Sequence, residues 1–166
     1  MALLDADGKL LHARLWRLTQ RADVAEELMQ DLVIKLAASD SFAQADRPLA
    51  FALRSATNLA LDWRRKQVRR GPVASWSDGA EVAGEPDEPS ARLERDEELT
   101  QLLDALAQMK PTDRVVLTMR YLEDADYDMV GQAIGKTADQ ARGLCSKAVG
   151  RLRKHIDKQT PAEAKS

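Results

Sequence analysis

The sequence predicts an all-α protein in which two small helical domains are joined by an acidic flexible linker, the second domain being a helix-turn-helix. Apolar residues recur at the three- and four-residue spacing of amphipathic helices in both halves, and no segment of useful length alternates as a strand would. Residues 71–94 contain three Pro, three Gly and many acids without periodicity, which is typical of a linker. We therefore expect a first domain over 1–70, a linker over 71–95, a second domain over 96–158 and a disordered tail over 159–166.

The composition fits small helical domains in a reducing compartment. The 166 residues are 44% hydrophobic, 31% charged and 4% aromatic, which suits cores built from Leu, Ala and Val. Cys145 is the only cysteine, so no disulfide can form within the chain. No apolar run approaches the ~18 residues of a membrane-spanning helix, and charges interrupt the N-terminal stretch where a signal peptide needs an apolar core. We expect a cytoplasmic protein without a membrane segment.

The small net charge of −2 hides a strong segregation of charge. Residues 64–70 contain five Lys or Arg and no acid. Residues 71–98 contain nine acids and two bases, a net charge of −7, whereas residues 136–158 contain seven bases and two acids, a net charge of +5. The basic blocks are either solvated helix faces or surfaces that bind nucleic acid, and charge alone leaves both interpretations open.

Three helices are predicted in the first domain, and the second of them has an unusual polar face. The first helix covers roughly 9–20, and the second begins at a capping box formed by Asp23 and Glu26. One side of the second helix is apolar and should pack in the core. Ile34 lies in the middle of the opposite face, either as an isolated exposed side chain or as the centre of a partner-binding patch. The polar residues around it are Glu27, Gln30 and Asp31.

The third helix is predicted to begin near Pro48, because proline suits the first turn of a helix. Its apolar stripe, which includes Trp63, should pack in the core. The opposite stripe is polar, and the basic cluster 64–70 should continue that surface beyond the end of the helix. The polar stripe consists of Arg54, Asn58, Asp62 and Arg65.

The second domain is predicted to contain four helices. The first ends before Pro111, and the second begins with Thr112 as its N-cap. Asp126 is the expected N-cap of a short third helix, and Gly135 is its expected end. A short helix, a tight turn with Gly and a longer helix form the arrangement known as helix-turn-helix.

The last helix should begin at Ala138, since Thr137 and Gln140 have the spacing of a capping box. One face of this helix is apolar and includes Cys145, which is most simply a core residue. The other face is polar and basic. The side chains and glycine expected on the exposed face are Gln140, Arg142, Gly143, Ser146, Lys147 and Arg151.

These residue types match what a helix needs in the major groove of DNA, whose base edges meet the first turns of the helix. Gln140 and Arg142 can each make two hydrogen bonds to one base. Ser146, Lys147 and Arg151 could hold phosphates, while a glycine at 143 allows close approach of the backbone. The alternative is an ordinary surface helix of a bundle. The capping box after a short helix and a glycine turn favours DNA binding.

An enzyme is the weaker interpretation of this sequence. His12 and His155 are far apart and have no metal-ligand spacing. The sequence contains neither a glycine-rich phosphate loop nor a nucleophile-elbow motif. The clustered acids lie in the predicted linker, where nothing would fix their geometry. We expect no cofactor and no metal.

Taken in order, the parts resemble the extracytoplasmic-function (ECF) sigma factors of bacterial RNA polymerase over about residues 9–156. "ADVAEELMQDLVIKLA" resembles the helix that binds the polymerase clamp, and "PLAFALRSATNLALDWRRKQVRR" resembles the helix that reads and melts the minus-ten element. "LLDALAQMKPTDRVVLTMRYLEDADYDMVGQAIG" resembles the first part of the domain that reads the minus-thirty-five element, and the run from Leu106 to Leu122 is its most family-like stretch. Residues 39–47 correspond to the loop that helps to form the pocket for a flipped base.

The resemblance implies three sets of site residues. Those for core polymerase are Glu27, Gln30, Asp31 and Ile34. Those for the minus-ten element are Arg54, Asn58, Asp62, Arg64, Arg65 and Arg69. Those for the minus-thirty-five element are Thr137, Gln140, Arg142, Gly143, Ser146, Lys147 and Arg151. The chain departs from the family pattern at Lys136 and Leu144, where the family usually has an apolar and a basic residue respectively.

The implied function is therefore a non-catalytic initiation factor with core RNA polymerase and promoter DNA as partners, and an anti-sigma factor as a further partner that the resemblance allows. Two other functions stay open at the level of sequence. One is a helix-turn-helix regulator that binds duplex DNA by itself, and the other is an interaction adaptor that binds no DNA. Dependence on polymerase separates the first of these from a sigma factor, and the salt dependence of DNA binding separates the second.

Overall fold

The computed structural model describes residues 2–71 and 89–159, in which eight α-helices and no strand occur. The all-α prediction is confirmed. Among the described residues, no helix has the length and apolar character needed to cross a bilayer. The helices are α1 (Ala2–Thr19), α2 (Ala22–Ala37), α3 (Asp40–Ala43), α4 (Pro48–Arg70), α5 (Pro89–Ala107), α6 (Pro111–Leu117), α7 (Tyr127–Ile134) and α8 (Ala138–Gln159), and a π-helical turn, Thr118–Leu122, continues α6.

The caps predicted around α7 and α8 are confirmed. The Asp126 carboxylate accepts a hydrogen bond from the backbone N–H of Met129 at 2.8 Å. Gly135 ends α7 in the left-handed region at φ 69°, a conformation that glycine adopts without steric cost. Thr137 Oγ1 accepts from the N–H of Gln140 at 3.2 Å, while Gln140 Oε1 accepts from the N–H of Thr137 at 3.1 Å. This reciprocal capping box fixes the start of α8.

Two other predicted caps are wrong. Helix α2 begins at Ala22 with Arg21 as its N-cap, and Asp23 pairs with the guanidinium of Arg21 at 2.6 Å instead of capping. Helix α6 begins at Pro111, so Thr112 lies within the first turn. Proline is favoured at that position because it has no N–H to leave unpaired and its φ already suits a helix.

Several helices are longer than the sequence indicated. α1 extends back to Ala2, and α4 continues to Arg70, so the basic cluster lies on the helix and not beyond it. α5 begins at Pro89, which makes 89–95 helical where a linker was predicted. A proline in the first turn followed by Arg and Glu, which are good helix formers, accounts for this early start. The rest of the predicted linker, 72–88, and the tail, 160–166, lie outside the described residues.

The first helices form a compact group in which α1, α2 and α4 pack against one another. Leucines from α1 and α2 meet alanines of α4, and the small alanine side chains let the helix axes approach closely. The predicted apolar stripe of α4 is confirmed as buried or half-buried, including Trp63. The residues at the centre of this packing include Leu11, Leu15, Leu32, Ala56 and Ala60.

Helix α4 also packs against α5, α6 and α7, so it is covered on more than one side. Its second buried side includes Thr57 and Leu61, which a single apolar stripe did not predict. Residues of the C-terminal half, among them Leu103, Leu106 and Met109, belong to the same apolar cluster as the first helices. The described parts of the two halves therefore share a continuous core. The division into domains at 70 and 96 stays a prediction.

A second apolar cluster holds α7 and α8 against α6. Its members include Val115, Val130, Ala141 and Cys145, so the prediction that Cys145 is a core residue is confirmed. Burial raises the pKa of the Cys145 thiol. The turn between α7 and α8 folds back onto Gly131, whose carbonyl accepts a hydrogen bond from the N–H of Lys136 at 2.8 Å.

Candidate polymerase and nucleic-acid surfaces

The predicted partner face of α2 is exposed. All four of its residues, Glu27, Gln30, Asp31 and Ile34, lie at the surface, and Ile34 is 67% exposed. The other side of α2 is anchored in the core by leucines such as Leu32, so the orientation of this face is fixed by packing. The result is one large apolar side chain surrounded by two carboxylates and an amide on a rigid helix.

At the start of the predicted minus-ten surface, an arginine side chain lies over an aromatic ring. Arg54 is exposed, and its guanidinium lies 5.2 Å from the centroid of the Phe51 ring. The Phe51 ring packs against Phe42, with the ring centroids 5.7 Å apart. Phe42 belongs to α3, a helical turn capped by the hydroxyl of Ser39 within the segment that sequence indicated as a loop. A cation over an aromatic face restrains Arg54 without neutralising its charge.

Further along α4, the side chains of the predicted polar stripe are only partly exposed to solvent. Asn58 is half-buried, and its Oδ1 is buried without a hydrogen-bond partner. The Asp62 carboxylate accepts from Arg114 Nη1 of α6 at 2.7 Å. Arg65 is half-buried with its Nε unpaired, whereas Arg69 is exposed. Contacts from the C-terminal half thus reach the face that was expected to meet DNA.

Arg64 is not on this surface, contrary to the prediction. It is 7% exposed, with Nε donating to the Leu18 carbonyl at 3.1 Å and Nη1 donating to Asp104 Oδ1 at 2.7 Å. Burial lowers the pKa of Arg64, and the carboxylate of Asp104 opposes that shift. The sequence held a signal for this position, because Arg64 follows the buried Ala60 by four residues and so lies on the same side of the helix.

The N-terminal turns of α8 present the predicted base-reading face. Gln140, Arg142, Gly143, Ser146 and Lys147 are all exposed, as is Thr137 before the helix. The Oε1 of Gln140 accepts a hydrogen bond in the capping box, so only its amide NH₂ group remains to bind another molecule. The prediction that this face is exposed and basic is confirmed, while its role stays a prediction.

Arg142 shares an aromatic ring with another arginine that sequence analysis missed. The guanidinium carbons of Arg120 and Arg142 each lie 5.1 Å from the centroid of the Tyr127 ring. A side-chain hydrogen bond to Tyr127 raises the pKa of Arg120. Asp139 lies one turn before Arg142, with an N–O distance of 3.7 Å. No periodicity marks Arg120, because it lies in the π-helical turn, where a helical wheel misplaces it.

Arg151 is tied to the interior of the C-terminal half. Its Nε and Nη2 donate to the two carboxylate oxygens of Asp113 at 2.8 and 2.7 Å. This two-bond contact raises the pKa of Arg151. Asp113 is 4% exposed, so the pair joins α8 to α6. A phosphate could meet only the exposed remainder of the guanidinium.

Two further arginines, which sequence analysis did not single out, join the halves. Arg14 is buried, donates to the Leu53 carbonyl at 3.0 Å and to Thr57 Oγ1 at 3.1 Å, and forms an ion pair with Glu123. Burial lowers the pKa of Arg14, and Glu123 opposes the shift. Arg17 donates to the Leu122 carbonyl at 2.8 Å. Buried arginines are rare without partners, but a single sequence does not reveal where those partners are.

The described residues thus combine an exposed acidic face on α2, a partly exposed polar face on α4 and an exposed basic face on α8. Residues 3–70 match the family model described as Sigma-70 region 2. No curated protein matches the chain. Helices α1 to α4 are therefore similar to a Sigma-70 region 2 domain. Domains of this family belong to sigma factors, which are non-enzymatic proteins that bind core RNA polymerase and take part in promoter recognition.

Proposed function

We propose that the chain is an ECF-type sigma factor, in which the region 2 domain is followed by a further DNA-binding unit built on α7 and α8. The observation that carries the proposal is this order: a Sigma-70 region 2 match that ends at residue 70, then a capped short helix, a glycine turn and a long basic helix. The two units together would supply contacts to two promoter elements.

In this proposal the exposed face of α2 binds the core enzyme. Its supports are the exposure of Ile34 and the acids on either side of it. A large apolar side chain that is desolvated on binding contributes more affinity than the charges at the rim, which mainly set orientation and association rate. Glu27, Gln30 and Asp31 would form this rim.

Helix α4 would act on the minus-ten element once the strands separate. Arg54 and Arg69 are exposed cations that would follow the backbone of the displaced strand. Asn58, Asp62 and Arg65 lie between them, and the Oδ1 of Asn58, which is buried and unpaired in the free chain, would accept a hydrogen bond from a base amino group in the complex. Arg64 has no part in this contact, since its guanidinium is used inside the protein.

Helix α8 would enter the major groove of the minus-thirty-five element. Arg142 is the residue best suited to a guanine, and Tyr127 already restrains its guanidinium. Thr137, Ser146 and Lys147 would hold phosphates. Gln140 would offer its NH₂ group to the groove, and Gly143 leaves room for the sugar-phosphate backbone. The exposed part of Arg151 would add a phosphate contact.

Reconstitution with bacterial core polymerase tests the proposal. The full chain, core enzyme and a library of promoter fragments should give transcripts that start at a fixed distance from two enriched sequence elements. A stand-alone regulator would instead select one duplex site without polymerase, and an adaptor would select no DNA at any salt concentration. Transcripts that need the chain, together with no duplex selection by the chain alone, support the sigma factor.

A further inference from the structure

One aromatic ring connects the proposed DNA-reading helix to the π-helical turn that follows α6. The guanidinium carbons of Arg120, in that turn, and of Arg142, in α8, each lie 5.1 Å from the centroid of the Tyr127 ring. Both distances are within the ~6 Å at which a cation is attracted to an aromatic face. Arg120 also makes a side-chain hydrogen bond to Tyr127, in which the hydroxyl accepts because arginine has only donors. Arg120 therefore restrains the same ring that restrains Arg142.

The position of the Tyr127 ring is fixed by the body of the C-terminal half. Tyr127 is the first residue of α7, directly after Asp126, whose carboxylate caps that helix by accepting from the N–H of Met129 at 2.8 Å. The ring is half-buried and packs against the apolar cluster between α6, α7 and α8. Arg120 is half-buried as well. The two groups that can orient Arg142 from outside its own helix thus belong to a rigid part of the domain.

Within α8, Arg142 has only a weak restraint. Its side chain is 65% exposed, and its ion pair with Asp139 has an N–O distance of 3.7 Å to a carboxylate that is 93% exposed. Ion pairs this exposed contribute little, because water screens them and both side chains must be ordered to form them. A long arginine side chain loses rotamer entropy when it binds, and a guanidinium that is already held loses less. The Tyr127 ring is therefore the main group that prepares Arg142 for a base.

We propose that Arg120 is a positioning residue for sequence readout, which holds the Tyr127 ring so that the ring keeps Arg142 in the orientation that meets a guanine. The inference rests on the proposed function and names a determinant of specificity for the same minus-thirty-five surface. The alternative is that Arg120 itself holds a phosphate, a contact that carries no sequence information. The two roles differ in one measurable quantity, because only the positioning role changes the discrimination between base pairs.

Three variants separate the contacts of the ring. Arg120→Met removes the guanidinium and keeps a long side chain over the ring. Tyr127→Phe keeps the ring beside Arg142 and removes the hydroxyl that accepts from Arg120, so it also serves if Arg120→Met does not fold. Tyr127→Leu removes the ring altogether. The control is Lys154→Met, which removes one positive charge from an exposed position of α8. Circular dichroism and thermal unfolding check that each chain is folded.

The first measurement uses the full chain alone. The side-chain Nε–H resonance of Arg142, assigned by its absence in Arg142→Ala, should be shifted by the ring current of Tyr127 and should relax as a restrained group. Wild type and Lys154→Met should agree in both properties. The shift and the restraint should be reduced in Arg120→Met and Tyr127→Phe and lost in Tyr127→Leu. An Arg142 resonance in Arg120→Met that is identical to wild type would overturn the proposal.

The second measurement is the base preference of the holoenzyme on duplexes that carry the minus-thirty-five element. The position concerned is the one at which Arg142→Ala loses its preference between base pairs. Arg120→Met and Tyr127→Phe should each reduce the ratio of affinities for the preferred and a substituted pair by roughly threefold, part of the discrimination that a bidentate arginine supplies. Lys154→Met should leave this ratio unchanged. In an Arg142→Ala chain, Arg120→Met should not change the ratio further, because no side chain is left to position.

The outcomes distinguish this inference from the proposed function. A uniform loss of affinity in Arg120→Met with an unchanged ratio would assign Arg120 to a phosphate and refute the positioning role. Failure of the wild-type chain to direct transcription would refute the sigma function itself. The resonance of Arg142 needs no polymerase, so an unaltered resonance in Arg120→Met refutes the positioning role even in a chain that transcribes.

Discussion

Arg151 of α8 holds the buried carboxylate of Asp113 of α6 with two hydrogen bonds, at 2.8 and 2.7 Å. A residue expected to face phosphate is thus also a bridge between the proposed DNA-reading helix and the body of its domain. The side chain of Arg151 is 43% exposed and that of Asp113 is 6% exposed. Removing one partner or the other therefore leaves a different unpaired group. Loss of the arginine leaves an unpaired carboxylate inside the protein.

This asymmetry predicts unequal effects on stability. Arg151→Ala should lower the urea midpoint of unfolding more than Asp113→Asn does, because the asparagine is neutral and keeps one oxygen that accepts from Arg151, whereas the alanine leaves a charged carboxylate buried without its partner. The double variant should be more stable than Arg151→Ala alone. Urea unfolding of the three variants, read by circular dichroism, checks the order. Midpoints equal to that of wild type in all three variants would mean that the pair contributes nothing to folding.

Gly131 and Gly150 give a matched pair of glycine substitutions. A Cβ at Gly131 would lie 2.6 Å from the Lys136 carbonyl oxygen, whereas at Gly150, within α8, nothing lies within 4 Å. Gly131→Ala should destabilise the chain by roughly 1–3 kcal/mol, because the backbone of the turn must move. Gly150→Ala should stabilise it by about 0.5–1 kcal/mol, since alanine favours helix interiors. Thermal unfolding of both variants decides whether the turn between α7 and α8 is as tight as described.

Gln140 has a capping role and a proposed base-reading role, and one substitution separates them. Gln140→Glu keeps an acceptor at the third helical position and should leave stability unchanged or slightly higher. It removes the NH₂ donors and adds a negative charge, so binding to the minus-thirty-five element should weaken. Gln140→Ala should lose both the capping hydrogen bond and the proposed base contact, with a stability cost of about 0.5–1 kcal/mol. Holoenzyme binding to a duplex that carries only this element is the measurement. Equal affinity of wild type and Gln140→Glu would remove Gln140 from DNA contact.

Local signals predicted the helices and the caps of α7 and α8 well, because each depends on residues within one turn. Asp126, Gly135 and the Thr137–Gln140 capping box lie where their chemistry indicated. The predictions that failed concern residues whose burial depends on helices that are distant in the sequence. Helix α4 packs against helices from both halves. An interpretation with one buried face therefore placed Arg64 at the surface, although its four-residue spacing from the buried Ala60 already indicated that it lies in the interior.

The partners of buried charges were beyond the reach of a single sequence. Arg14 meets Glu123, 109 positions later, and Arg114 meets Asp62, 52 positions earlier. No local periodicity connects residues so far apart. Arg120 was missed for a different reason, because the π-helical turn rotates it away from the face that a regular helix would give it.

If the exposed face of α2 binds polymerase as proposed, its substitution should reduce binding without reducing stability. Ile34→Arg with Asp31→Lys should weaken core polymerase binding by roughly tenfold or more, as expected when an apolar anchor is replaced by a charge. Stability should change by less than about 0.5 kcal/mol, because the side chain is 67% exposed. Leu93→Arg is the control, as Leu93 is 61% exposed but lies on α5. Competition with labelled wild-type chain for core enzyme gives the affinities. Equal affinities of the Ile34 and Leu93 variants would contradict the assignment of this face to polymerase binding.

Asn58 is predicted to act in promoter melting and not in promoter finding. Its Oδ1 is buried without a partner, so Asn58→Ala removes no hydrogen bond of the free chain and should leave stability unchanged or slightly raised, because a buried unpaired acceptor is lost. In the holoenzyme the same side chain would hydrogen-bond to an unstacked base, a contact worth ~1–3 kcal/mol when two bonds form, so open complexes should form roughly tenfold less well. Duplex binding through α8 should be unchanged. The control is Gln101→Ala, which removes an exposed amide from α5.

The decisive measurement of melting is permanganate reactivity of unpaired thymines on a linear promoter. Wild-type and Gln101→Ala holoenzymes should show reactive thymines across the minus-ten element, and Asn58→Ala holoenzyme should show few. A template with a pre-melted bubble should restore part of the transcription, because the strand separation that Asn58 assists is then supplied in advance. Exposed Arg54 and Arg69 would still hold the strand backbone, which is why the loss is partial. Thymine reactivity equal to wild type in the Asn58→Ala complex would show that α4 melts the promoter without this residue.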